Sequence, residues 1–307
     1  MVLCALNSIE IPIVIWGCLW AGGIVCLVNP GFTTNELAQR IGNIPVKTIV
    51  TERDVLPKVQ ATQKHLGIEE VRTITLDDHE RDRASHGDLH QESDSSSRSD
   101  GEKEVISPAH DLAFLVFSSG TTGLPKGVML SHKNVVANVL LLAAGEEGHL
   151  TWNSGPDGSG DRTLAFLPFF HIYGDPCPTH TKSSRTHDVL GLACEVLQAL
   201  YQGFTAVVMR TFTFESFLAL VERHKITAVY LVPPVLLRLA KDPMVDKYNL
   251  SSLRMLSSGA APLTKDLTRA VYQRLRIPTK QGYGISELTA TVYAQVRSWR
   301  PSICHQW

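Results

Sequence analysis

The sequence lacks any C-x-x-C pair, and its six cysteines (Cys4, Cys18, Cys26, Cys177, Cys194 and Cys304) are scattered among mostly apolar neighbours. That spacing argues against a disulfide scaffold or a cysteine zinc site and fits reduced thiols in an intracellular protein. It also lacks an excess of either charge, with 29 Lys and Arg against 30 Asp and Glu and a net charge of -1. No electrostatic footprint calls for nucleic acid or an anionic membrane. There is no internal repeat, and no basic cluster precedes the apolar N-terminal run as a secretory leader would require.

That run, from Ile11 to Asn29, carries no charge. It approaches the length of a membrane span, so an anchor over 11–28 is one reading. Pro12 and the Gly22-Gly23 pair interrupt it and Asn29-Pro30 ends it, which favours a buried helix, a glycine turn and a short buried strand.

With 44% hydrophobic and 19% charged residues over 307 positions, the chain can bury a sizeable core. Leu112 to Phe117 is a continuous apolar run of the kind found in strands buried on both faces. Val135, Val136, Val139, Leu140 and Ala143 follow at helical spacing, with Ser131 as N-cap. Strands are predicted over Thr205 to Met209, Thr227 to Val232 (closed by Pro233-Pro234) and Leu253 to Ser257. Helices are predicted around Phe217, Leu218, Leu220 and Val221 and over Lys265 to Leu275. This alternation predicts an α/β fold with mostly parallel sheets flanked by helices. Two tracts break it. Asp88 to Lys103 is rich in Ser, Asp, Glu and Arg and reads as a solvated loop, and Asp175 to Asp188 is polar with two prolines.

The strongest chemical signal is Ser118-Ser119-Gly120-Thr121-Thr122-Gly123-Leu124-Pro125-Lys126-Gly127, directly after the Leu112–Phe117 strand. Small hydroxyl residues and glycines let backbone N–H groups and hydroxyls approach a polyphosphate closely, and Lys126 adds a mobile positive charge. The plain alternative is a flexible loop, but ten consecutive residues suited to one task at a strand end weigh against it. It is not a Walker loop, which needs G-x-x-x-x-G-K-[ST], because Pro125 precedes the lysine and Gly127 follows it.

This segment resembles the signature phosphate loop of the adenylate-forming superfamily: acyl-CoA synthetases, 4-coumarate–CoA ligases, luciferases and peptide-synthetase adenylation domains. Leu167-Pro168-Phe169-Phe170-His171-Ile172-Tyr173-Gly174, Ser258-Gly259-Ala260-Ala261-Pro262 and Gln281-Gly282-Tyr283-Gly284-Ile285-Ser286-Glu287 resemble further blocks of that family, in its order. Ala21-Gly22-Gly23, Asn29-Pro30 and Val232-Pro233-Pro234 also fit. The 4-coumarate–CoA ligase-like branch is the nearest in wording.

The resemblance implies ATP, Mg²⁺ and coenzyme A, with a carboxylic acid activated to an acyl-adenylate and passed to CoA. An aromatic acid is the first expectation and a fatty acid the second. It implies that Ser118, Ser119, Thr121, Thr122 and Lys126 hold the β- and γ-phosphates, with Gly120 and Gly123 in the same loop. Gly259, Ala260 and Ala261 would line the adenine pocket. Gln281, Gly282, Tyr283 and Gly284 would lie between adenine and acyl group, with Tyr283 a stacking partner. Ser286 would contact the phosphates and Glu287 would help bind Mg²⁺. Lys126, Glu287 and His171 are the catalytic candidates, and His171, Tyr173, Gly259 and Gly282 the acyl-pocket candidates. By residue type alone, His171 is a satisfied core histidine, Tyr283 core packing and Glu287 a solvated helix-start acid. A zinc reading of His171, Cys177, His180 and His187 matches no tight metal spacing.

The expected organisation is an incomplete first α/β subdomain over 1–87, a low-complexity loop over 88–107, and a nucleotide-binding core over 108–289. An insertion is expected at 175–188, and 290–307 is an unmatched tail. The resemblance implies that early strands and the small C-terminal lid domain are absent, so activity is expected to be impaired. The alternatives are a catalytically inactive nucleotide-binding pseudoenzyme or mis-assembled gene product, or a peptide-synthetase-type or luciferase-like enzyme. The expected location is cytoplasmic. A peroxisomal address would belong to an intact form, and Cys304-His305-Gln306-Trp307 is not one.

Overall fold

The computed structural model describes residues 1–76, 106–118, 126–146, 150–151, 158, 160–170 and 191–295. Strands β1 (Val2–Cys4), β2 (Val25–Leu27), β3 (Thr48–Thr51), β4 (Arg72–Thr75), β5 (Leu112–Ser118) and β6 (Lys126–Ser131) form a first sheet of order β4-β3-β1-β2-β5-β6. All its pairings are parallel except β5 with β6. Helices α1 (Glu10–Trp20), α2 (Thr34–Ile41) and α3 (Leu56–Leu66) connect its early strands.

Alternation along the strands explains how the sheet is covered. Val2, Cys4, Cys26 and Val28 pack with Leu37, Ile41, Val55 and Val59 of the α2–α3 side, whereas Leu3, Ala5, Val25 and Leu27 pack with Ile11, Ile15 and Leu19 of α1 in the main core. Successive side chains point to opposite faces, so each three-residue strand serves two cores. The apolar N-terminal run is α1, a turn with Gly22 at φ 73°, and β2, as the sequence predicts. No helix among the described residues is long and apolar enough to cross a membrane. The buried description holds for one side of α1 only: Ile13 and Trp20 are exposed.

The second sheet contains β7 (Arg162–Ala165), β8 (Thr205–Val208), β9 (Ala228–Leu231), β10 (Met255–Ser258), β11 (Thr279–Ile285) and β12 (Ala290–Ala294), in the order β12-β11-β10-β9-β7-β8. Only β12 runs antiparallel to its neighbour. Helices α4 (His132–Glu146), α5 (Gln198–Gln202, preceded by a π-helical turn Gly191–Leu197), α6 (Phe214–His224), α7 (Pro233–Lys241) and α8 (Lys265–Leu275) flank the strands. Ser131 starts α4: its hydroxyl accepts from the Asn134 N–H at 3.2 Å. The Pro233-Pro234 pair that ends β9 also opens α7, where the missing N–H costs nothing.

The β7–β9 region is anchored by Asp161, which is fully buried. It accepts from the Thr227 hydroxyl at 2.7 Å and the Thr151 N–H at 3.1 Å and pairs with Arg254. Residues 290–294, left unassigned by the sequence, form β12. Residues 88–105 of the low-complexity tract and the 175–188 tract lie outside the described residues.

Candidate functional site

The phosphate-loop candidate sits between two antiparallel strands. Ser118, the last residue of β5, is register partner of Lys126, the first residue of β6. The chain between them therefore starts and ends at one ladder position, at the carboxyl end of β5. A Walker loop instead runs from a strand into a helix N-terminus. Here β6 stands between that segment and helix α4 in the chain. Lys126 is exposed and has no ion pair among the described residues. Ser119, Gly120, Thr121, Thr122 and Gly123 lie outside the described residues, as do His171, Tyr173 and the zinc candidates Cys177, His180 and His187.

The other blocks gather at the carboxyl ends of the second sheet, the usual ligand side of a parallel sheet. Leu167 to Phe170 continues from β7, Val232 from β9, Gly259 to Ala261 from β10 and Gln281 from within β11. Ser258 is register partner of Gln281, so Gly259–Ala261 leaves the sheet beside Gly282 and Tyr283. The Gly259 N–H bonds to the Leu231 carbonyl at 3.3 Å. Ala260 has φ 73°, a left-handed conformation that a residue with a Cβ rarely adopts. Tyr283 is 62% exposed, free to offer a ring face.

Beyond the end of β10, β11 pairs only with β12, with a register shift between Tyr283 and Gly284. A Cβ on Gly284 would overlap the Ala290 carbonyl oxygen, so this position admits only glycine. Ser286–Leu288 is a 3₁₀ turn, followed by Thr289 and Ala290 at φ 62° and 98°. Its residues lie within 8 Å, Cα to Cα, of residues in β5 and β6. The tight hairpin thus turns the Glu287 segment back onto β5 and β6, the strands that flank the phosphate-loop candidate. Ser286 is buried and Glu287 exposed. Glu287 has no hydrogen bond or ion pair among the described residues, and no cluster of three or more His, Cys, Asp or Glu occurs there. One uncommitted carboxylate beside strands β5 and β6 fits Mg²⁺, which binds one or two carboxylates together with substrate phosphates.

Supporting residues that residue-type reasoning missed tie this arrangement together. Lys280 precedes the Gln281 block and is buried. Its ammonium lies 2.8 Å from Glu146 and 3.2 Å from the Gly145 carbonyl, at the end of α4. Asn138, also on α4, donates to the Thr291 carbonyl of β12 at 2.8 Å. Helix α4 continues from β6, so one helix connects the phosphate-loop hairpin to the β11–β12 hairpin. Glu195, in the π-helical turn, is buried and accepts the backbone N–H groups of Phe166 and Leu167. Burial holds its carboxyl well above the ordinary carboxylate range, those two bonds opposing the shift. Tyr230 donates to Gln198 at 3.2 Å, and burial raises its phenol far above the usual value. The only signal for these residues in the sequence was polarity at positions where a neighbouring helix or strand is apolar.

Two mostly parallel sheets with their carboxyl ends on a common site define the two-sheet α/β domain of adenylate-forming enzymes. The chain belongs to the AMP-binding enzyme family, which it matches over residues 1–179 and 186–304. The unmatched residues 180–185 fall within the polar 175–188 tract, and the match continues past Thr289 into the C-terminal stretch. The chain is 36% identical over 286 residues to 4-coumarate–CoA ligase 1 of Petroselinum crispum, covering 92% of this chain and 46% of that protein. It is 34% identical over 287 residues to 4-coumarate–CoA ligase of Pinus taeda, covering 92% and 47%. It therefore spans about half the length of these curated relatives. Among solved structures it is similar to a red-emitting luciferase from Phrixothrix hirtus, with TM-score 0.72 and 25% identity over 95% of this chain and 52% of that one. ATP-bound MatB from Rhodopseudomonas palustris gives TM-score 0.72 at 23% identity, over 97% and 52%, a likeness of fold.

Proposed function

We propose that this chain carries the nucleotide side of an acid–thiol ligase centre, binding ATP so that a carboxylic acid is adenylated and then joined to coenzyme A. The observation that carries this reading is the convergence of the Ser118–Lys126 hairpin, the Glu287 turn and the paired Ser258–Gln281 ends around one site. The relatives named 4-coumarate–CoA ligase support the chemistry and make an aromatic acid the first substrate class, with fatty acids second.

In the first step a carboxylate oxygen of the acid attacks the α-phosphorus of ATP, the bond to the β-phosphate oxygen breaks, and pyrophosphate leaves. In the second, the CoA sulfur attacks the acyl carbon, the acyl–phosphate oxygen bond breaks, AMP leaves, and the thiol proton passes to solvent. Such displacements ask the protein mainly for positioning and charge neutralisation. Ser118, Ser119, Thr121, Thr122 and Lys126 hold the β- and γ-phosphates, with Gly120 and Gly123 permitting close backbone approach. Gly259, Ala260 and Ala261 line the adenine site. Gln281, Gly282, Tyr283 and Gly284 separate it from the acyl pocket of His171, Tyr173, Gly259 and Gly282, and Ser286 contacts the phosphates. Glu287 would help hold Mg²⁺, which when bound would neutralise phosphate charge. The free thiols of Cys4, Cys18, Cys26 and Cys194 suit a reducing compartment, and the cytoplasm is the proposed one.

The test is pyrophosphate release from the purified chain with Mg²⁺-ATP across a panel of cinnamic, benzoic and fatty acids, followed by thioester formation on adding CoA. Acid-dependent release supports the proposal. Tight ATP binding without release from any acid replaces it with nucleotide binding alone.

A further inference from the structure

After β7 ends at Ala165, the backbone of residues 166–169 leaves the sheet ladder, and its polar groups need other partners. Glu195 accepts the Leu167 N–H at 3.5 Å. Asn7 takes two more: its Nδ2 donates to the Leu167 carbonyl at 2.8 Å, and its Oδ1 accepts the Phe169 N–H at 2.8 Å. One side-chain amide thus bonds residues i and i+2, as a neighbouring strand would. Asn7 is 3% exposed, so no water competes for these bonds.

Asn7 belongs to the other sheet. It follows β1, and its neighbour Leu6 donates its N–H to Glu52 at the end of β3, at 3.2 Å. The second oxygen of Glu52 pairs with Arg210, just beyond β8. Polar ties from the carboxyl ends of β1 and β3 therefore grip the carboxyl ends of β7 and β8. Strands β1, β2 and β5 are parallel, so the phosphate-loop hairpin leaves the first sheet at this same edge. We propose that Asn7 is a positioning residue that sets the spacing between the nucleotide-side strands of the first sheet and the acid-side segment 167–170 of the second. The inference rests on the ligase reading, in which that segment borders the acyl group. Asn7 touches no substrate; it acts through the backbone of Leu167 and Phe169.

A ligand spanning both halves reports on this spacing, whereas ATP reports on the nucleotide half. The probes are ATP and a hydrolysis-resistant cinnamoyl-sulfamoyl adenosine, each titrated by calorimetry into the wild-type chain, Asn7→Ala and Asn7→Asp. In Asn7→Ala the expected ATP affinity stays within about twofold of wild type. The preference for the acyl analogue over ATP falls about tenfold or more. Asn7→Asp adds a readout that loss of volume does not give. Its neutral carboxyl can donate to Leu167 and accept from Phe169, as the amide does, while its ionised form leaves the Leu167 carbonyl facing an anion. The preference of Asn7→Asp, taken as a ratio to wild type at each pH, should therefore recover as pH falls towards about 5. Among the described residues, the titratable or charged groups on the elements tied to the Asn7 segment are Glu52 with Arg210, beside Leu6, and Glu195, which bonds Leu167. All three are the same in the wild type and in both variants, which the ratio compares at each pH.

An alanine variant with undiminished acyl preference overturns the inference, as does an aspartate variant whose ratio is flat with pH. If the alanine variant does not fold, the aspartate profile decides alone. A wild-type chain that binds ATP but shows no acyl preference overturns the ligase reading and this inference with it. That outcome is distinguishable because it appears before any substitution is made.

Discussion

Lys126 stands opposite Ser118 in the β5–β6 ladder, so the glycine- and hydroxyl-rich loop is closed at its base by two backbone partners on neighbouring strands. Both ends of that segment therefore belong to the first sheet. The segment bearing Glu287 reaches the same strands from the second sheet only because the β11–β12 hairpin folds so tightly.

That tightness makes Gly284 the most sensitive residue of the hairpin. In Gly284→Ala the new methyl would overlap the Ala290 carbonyl. The backbone must shift, at a cost of about 2–4 kcal/mol. Urea denaturation should show that loss, and the Mg²⁺ dependence of ATP binding should fall with it. A variant of wild-type stability would contradict the hairpin geometry.

Glu146 and Lys280 form a buried pair, 6% and 7% exposed at their side chains. Removing either partner alone strands the other charge, at about 3–5 kcal/mol. The double variant Glu146→Leu, Lys280→Met should be less destabilised than the sum of the singles. Denaturation of all four proteins measures this coupling, and additive losses would show that the pair is not an energetic unit.

Glu195 is held in its neutral form by burial. A raised folded value means that the contribution is complete below the range in which unfolded carboxyls ionise. It is lost as pH rises, because the unfolded chain releases a proton that the folded one keeps. Glu195→Gln, which cannot ionise, should therefore gain stability relative to wild type as pH rises from about 4 to 7. A difference that does not change with pH would contradict the neutral assignment.

Cys4 and Cys26 have their thiols pushed up by burial to about 12. By the same sign, their contribution to stability is lost between about 9 and about 12, at about 1.4 kcal/mol per pH unit per thiol. Both should resist an aromatic disulfide reagent at pH 8 until the chain is unfolded. Fast labelling of either in the native protein would show that the α2–α3 core is not closed over the first sheet.

Much of this fold is legible in local patterns. The Lys265–Leu275 helix, the strands around Thr205 and Thr227, and the Ser131 cap follow from apolar period and capping chemistry, because each is decided by residues close in sequence. The division of the alternation into two sheets was not legible, since three-residue strands such as Val2–Cys4 carry too little period to show their partners. Nor was the β12 pairing. It depends on a glycine whose partner atom lies on Ala290 and on two left-handed residues that sequence composition does not announce. The site blocks were legible as ordered motifs. Asn7, Glu195 and Lys280 were not, because each acts on backbone or side chains contributed from a distant part of the chain.

The most direct test of the central claim is calorimetric titration of ATP into the purified, folded chain, with and without Mg²⁺, alongside Lys126→Ala. The expected result is saturable ATP binding that Mg²⁺ strengthens and that the substitution weakens about tenfold or more, with stability unchanged because Lys126 is exposed. A folded chain that binds no ATP, or binds it equally well without Lys126, would contradict it.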